Sequence, residues 1–284
     1  MVEWLVEPFT YSFMVRGLLA GVLAGVGCAI LSAYIVWRGM AFVGDAIAHA
    51  ILPGIVIAFT QGISLFIGAL VAAVLAALGI GWLSRGGEVK EDTAIGVMFS
   101  GFFALGILLL SMVTSYQDLT HILFGDILGV SQAELWMMLG VVAIVLFAVI
   151  AFYKELLVTS FDPGHAVAIG LSPEMVRYGL LLLLALTVVT AIQTVGVVLV
   201  IALLVTPAAA ASLLTHRLPR IMALGAVFAM LAALVGLYAS YYANIASGAT
   251  IVLTLTGIFV LAFLFAPRRG LVWRGRAARQ KQAR

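Results

Sequence analysis

Arg38-Gly39-Met40-Ala41-Phe42-Val43-Gly44-Asp45-Ala46-Ile47-Ala48-His49-Ala50-Ile51-Leu52-Pro53-Gly54 runs from a basic turn into an apolar stretch that carries one carboxylate and one imidazole. The residues on both sides are just as apolar, so the pair lies within a segment long enough to cross a bilayer. A spanning helix needs about 20 such residues. An ionisable side chain there costs several kcal/mol and points to function. Asp45 and His49 are spaced i and i+4, which puts both side chains on one helical face, one turn apart.

Working outward, apolar runs of spanning length occur at 17–37, 41–60, 63–84, 94–113, 135–153, 175–192, 195–214, 221–243 and 248–266. Composition agrees: 64% of the 284 residues are hydrophobic and 10% are charged, against about 25% charged in a soluble domain. Mean hydropathy is +1.23. A soluble enzyme and a nucleic-acid-binding domain are excluded, and the net charge of +3 arises largely from a short basic tail at 268–284. The expected fold is an all-α, polytopic bundle of nine transmembrane helices, forming one domain over 1–284. An eight-helix count would have to merge or drop a segment. The first run follows Glu3 and Glu7 with no basic region before it, so no cleavable signal peptide is expected.

Basic residues of short loops stay on the cytoplasmic side. With the tail inside and nine crossings, every Lys and Arg except Arg16 falls inside, and the N-terminus is outside. Two connections exceed what a turn needs. The outer one, 114–134, carries Asp118, His121 and Asp126, three candidate gate or docking residues, although an ordinary solvated loop would carry such residues too. The inner one, 154–173, reads KELLVTSFDPGHAVAIGLSP; Asp162-Pro163 signals a helix start and Gly170 an end. A short helix across the cytoplasmic face is expected there.

A carboxylate oxygen and an imidazole nitrogen suit a divalent transition metal. Pro53-Gly54 just beyond would break the helix and free backbone carbonyls, as in the discontinuous helices of transport sites. The bland alternative is a structural Asp–His pair that neutralises itself. For Gln193, Thr194, Thr206-Pro207, Asn244 and Ser247, interhelical hydrogen bonding is the expected role. Gly17, Gly21 and Gly25 form a small-residue stripe expected to pack a neighbouring helix of the same chain. The single cysteine, Cys28, excludes an intrachain disulfide, and the lysines Lys90, Lys154 and Lys281 follow Val, Tyr and Gln, so no phosphate-binding GxxxxGK[ST] loop exists. Protease and hydrolase signatures (HExxH, GxSxG) are also missing.

The stretch 38–54 resembles the R-x-M-[AS]-[FL]-x-[GS]-[DE]-A-[LI]-[AS]-H-[AS]-x-L-P-G pattern of a known family, the membrane permease subunits of bacterial ABC importers for manganese, zinc and iron. FDPGHAVAIGLSP (161–173), TVGVVLVIALLVTPAAAA (194–211) and SGATIVL (247–253) extend the resemblance in order along the chain. It implies a fold similar to the cobalamin and siderophore importer permeases and a location in the bacterial inner membrane. It also implies a homodimer of permeases, a separate ATP-binding subunit and an extracytoplasmic metal-binding protein. No permanently bound cofactor is implied; the metal is the cargo. The family's metal-path Asp and His fall on Asp45 and His49. Its cytoplasmic coupling segment falls on 154–173, with Phe161, Asp162, Pro163 and Gly170 as the coupling residues. A self-contained secondary carrier or channel, with Asp45 and His49 as a proton relay, is the rival reading.

Overall fold

The computed structural model describes residues 7–113 and 127–266, all of them helix, turn or irregular chain with no strand. A single 3-10 turn, Glu7–Thr10, leads into α1 (Ser12–Arg38). There follow α2 (Val43–Ala50), α3 (Leu52–Gln61), α4 (Leu65–Leu83), α5 (Glu91–Ser111) and α6 (Gln132–Ala151). The inner connection forms α7 (Tyr153–Phe161) and α8 (Pro163–Ala168). The second half is α9 (Pro173–Val195), α10 (Val197–Leu214), α11 (Leu218–Ala243) and α12 (Ser247–Phe265). With α2 and α3 taken as one crossing, nine segments among the described residues are long and apolar enough to span a membrane. Asp118, His121 and Asp126, and the basic tail 268–284, lie outside the described residues.

Local chemistry explains the ends. Ser131 caps α6 in a reciprocal box: its Oγ accepts the Glu134 N–H at 3.2 Å, while Glu134 Oε2 accepts the Ser131 N–H at 2.8 Å. Ser172 caps α9 just before Pro173, which needs no N–H at a helix start. Asn244 ends α11 in the left-handed conformation, φ 53°, which turns the chain toward α12. Thr194 departs from the interhelical bond expected from sequence: its Oγ1 donates to Thr190 O at 3.2 Å and Ala191 O at 3.0 Å, within its own helix. A hydroxyl on a helix can reach these carbonyls one turn back, and at Thr194 that local option won.

α1 is the axis of the bundle. It packs against α11, α10, α6 and α9, and Leu31, Tyr34 and Ile35 on it are fully buried. Helices in lipid are held by close packing instead of by water exclusion, which favours small residues at crossings. The Gly17-Gly21-Gly25 stripe does this within the chain, as expected. A methyl group on Gly25 would stand 3.0 Å from the Ala229 Cβ, and one on Gly21 would stand 3.2 Å from the Ala233 Cβ, both on α11. Gly17 meets the Ile127 carbonyl, which seats the end of the outer connection on α1.

On the inner face Arg177 ties three helices. It donates to Gly81 O (2.8 Å) and Ser84 O (3.3 Å) at the end of α4, and pairs with Glu91 of α5 at 3.4 Å. The carbonyls it reaches are among those a helix end leaves without partners. Its cation therefore sits where the α4 dipole favours it.

Candidate metal path

α2 is a short helix lodged between α5, α9, α10 and α4. Val43, Gly44, Ala46, Ile47, Ala48 and Ala50 are buried, so the bundle covers every side of α2 except the one that bears Asp45 and His49. The two side chains are about one third exposed, 35% and 36%. The break expected at Pro53-Gly54 falls at Ile51, between α2 and α3. Pro53 has no N–H for the His49 carbonyl, which takes the Ile51 N–H instead. The backbone at Ile51 stays helical (φ −71°, ψ −20°), so the interruption is mild and α3 continues the crossing.

His49 Nε2 lies 3.4 Å from Asp45 Oδ1. A charge-assisted hydrogen bond would close to about 2.7–2.9 Å, so the pair is near but not mutually saturated. An ion bonded to both atoms at about 2.1 Å would see them roughly 110° apart, an angle that tetrahedral and distorted octahedral shells accept.

Sequence reasoning missed the wall of this site. Phe99 and Phe103 of α5 stack at 5.7 Å and 8°, and the His49 ring meets both nearly at right angles, at 5.6 and 5.3 Å. Their i, i+4 spacing was visible, but in a lipid-facing helix it is indistinguishable from ordinary apolar surface. Among the described residues no group of three or more His, Cys, Asp or Glu side chains converges. One chain thus offers two donors, and the outer candidates Asp118, His121 and Asp126 lie outside what is described.

The inner connection takes the expected form. Asp162 Oδ1 accepts the His165 N–H at 2.9 Å and starts α8, while Gly170 ends the segment at φ 83°. Phe161, Val167 and Ile169 are exposed apolar side chains here. A hollow of about 370 Å³ lies between Leu157, Val158, Phe161, Asp162 and His165.

A multi-pass bundle with an Asp–His pair on a short broken helix, and an apolar platform on one connection, has the architecture of a transport permease. The chain belongs to the ABC 3 transport family, whose family model matches residues 10–266. It is 48% identical over 281 residues to the manganese transport system membrane protein MntC of Halalkalibacterium halodurans, covering 98% of this chain and 96% of that one. The chelated iron transport system membrane protein YfeD of Yersinia pestis is 42% identical over 259 residues, 91% of this chain and 87% of its own. The solved structure of PsaBC from Streptococcus pneumoniae in complex with Fab superposes with a TM-score of 0.82 at 39% identity, covering 94% of this chain and 97% of that chain.

Proposed function

We propose that this chain is the membrane-spanning subunit of an ABC importer that carries a divalent transition metal, manganese foremost, into a bacterial cytoplasm past Asp45 and His49. The observation that carries the reading is the Asp–His pair, 3.4 Å apart on the one uncovered side of α2, in a chain of this family. Relatives named for manganese and iron transport support the cargo class, and oxygen with imidazole nitrogen suits both metals. Family membership disfavours a self-contained carrier or channel working by a proton relay.

Two donors per chain make a weak site, which suits an ion that must leave again, and two chains facing across a two-fold axis would supply four. Largely exposed α5, beside the pair, is the face on which such a homodimer would meet. ATP hydrolysis belongs to a separate subunit that docks on 154–173, where the exposed apolar residues of α7 and α8 offer a platform. Delivery belongs to an extracytoplasmic metal-binding protein, with Asp118, His121 and Asp126 assigned to the outer gate or its docking rim. The basic tail 268–284 meets anionic lipid head groups. The test is uptake of radioactive manganese by cells expressing the chain with its ATP-binding and delivery proteins, with zinc and ferrous iron as competitors. Uptake that survives loss of the ATP-binding subunit would overturn the proposal.

Gly170 gives a second test. Its N–H donates to Val167 O at 3.0 Å and the Leu171 N–H to Ala166 O at 2.9 Å, closing α8 around a left-handed residue. Gly170→Val forces a β-branched side chain into that conformation, at about 1–2 kcal/mol. Metal imported per ATP hydrolysed is expected to fall roughly fivefold or more, with ATP hydrolysis retained. If instead only deletion of 268–284 releases the ATP-binding subunit, the docking surface is the tail.

A further inference from the structure

The inner end of α1 is fastened to α7 by two side chains that make no contact with the cargo site. Arg38, the last residue of α1, donates from Nε to Ser160 Oγ at 3.1 Å and from Nη2 to Thr159 Oγ1 at 3.3 Å. Beside it the Trp37 ring lies on Phe161, with centroids 4.3 Å apart. Both hydroxyls commit their own protons along α7. Thr159 Oγ1 donates to Glu155 O at 2.7 Å, and Ser160 Oγ to Leu156 O at 2.6 Å. Each is left with lone pairs only, so the guanidinium is the donor in both contacts. Thr159 is buried and Arg38 partly so.

The position of this grip matters. Thr159, Ser160 and Phe161 are the last residues of α7, directly before Asp162 and α8. Beyond Arg38 the chain turns through left-handed Gly39 and enters α2, whose first turn carries Asp45. That turn has little slack. Met40 is buried; its N–H donates to Ile35 O at 3.0 Å, and the Val43 N–H donates to Met40 O at 3.0 Å. A shift of α7 therefore passes into α2 and is not absorbed in a loop.

We infer that Trp37 and Arg38 are positioning residues that carry movement of the α7–α8 segment to the Asp45–His49 pair. The inference rests on the docking role proposed for 154–173. Arg suits the task because its planar fork spans two acceptors at once, which a Lys ammonium does not do in the same geometry. The clamp acts on coupling, so binding of the ion at rest is left intact.

The experiment uses the whole transporter, permease with ATP-binding subunit and delivery protein, reconstituted in lipid vesicles. Arg38→Gln should bind Mn²⁺ with unchanged affinity and hydrolyse ATP, yet import at least about tenfold less per ATP, the scale of a lost charge-assisted hydrogen bond. Arg38→Lys should fall between. The near-isosteric Thr159→Val/Ser160→Ala variant keeps α7 intact and should match Arg38→Gln, and all three changes together should be no worse than either. Normal import per ATP in Arg38→Gln and in Thr159→Val/Ser160→Ala, or losses that multiply when the two are combined, would overturn the clamp. A His165→Cys cross-link to the ATP-binding subunit separates the two readings. Absence of the cross-link sinks the docking role and the clamp with it. A cross-link with normal import in the Arg38 variant sinks the clamp alone.

Discussion

Asp45→Ala yields a permease that folds, reaches the membrane and binds its ATP-binding subunit, but imports no metal. Removing the carboxylate leaves one imidazole per chain, so the proposed dimer would offer two nitrogens in place of four donors. Loss of a group that merely supports a metal ligand costs about 10–100-fold in affinity, so loss of a ligand itself should cost at least about 100-fold in uptake. The fold should survive, because Asp45 lies on the uncovered side of α2 and its 3.4 Å contact to His49 is looser than a strong ion pair. Metal accumulation in whole cells, with membrane abundance measured in parallel, reads both halves of the result. Accumulation at the wild-type rate would remove Asp45 from the path.

Gly54→Val acts through packing and should be the most damaging single change to the fold. α3 and α4 cross at Gly54 and Gly68, so closely that a methyl group on either would overlap the other's carbonyl oxygen. The obstacle is backbone, which cannot turn aside as a side chain can, so the helices must separate. Overpacking commonly costs about 1–3 kcal/mol, and this site belongs at or above the top of that range. Because α3 joins α2 at Ile51, the displacement also moves His49. Thermal unfolding of the detergent-solubilised permease should show a clear drop in midpoint, accompanied by lost uptake. Gly140→Ala on α6, where an added methyl group meets nothing within 4 Å, is the control and should be tolerated. Equal midpoints for the two variants would mean that the α3–α4 crossing has room.

The crossings were legible because the bilayer imposes a length and a composition on each of them. All nine expected runs match described helices, with ends shifted by a few residues; α1, for example, starts at Ser12 instead of residue 17. Asp45 and His49 stood out for the same reason: an ionisable side chain is conspicuous in an apolar run. What the sequence hid was pairwise geometry. Phe99 and Phe103 face His49 only because α5 packs beside α2. Arg38 looked like one more cytoplasmic cation, and its grip on Thr159 and Ser160 joins residues more than a hundred positions apart. Thr194 shows the converse: a local carbonyl was closer than any neighbouring helix.

The half-site proposed on α2 also has a genetic consequence. In the proposed dimer the coordination shell belongs to neither chain, so a defective copy is not silent beside a good one. If a cell made intact and Asp45→Ala chains in equal amounts, random pairing would leave only about a quarter of the dimers with both halves intact. The damaged allele would be dominant, and it would act by titrating its healthy counterpart into inactive pairs. A lesion that merely prevented folding would leave the healthy chains to pair with one another. Dominance thus separates injury to the shared site from injury to the bundle.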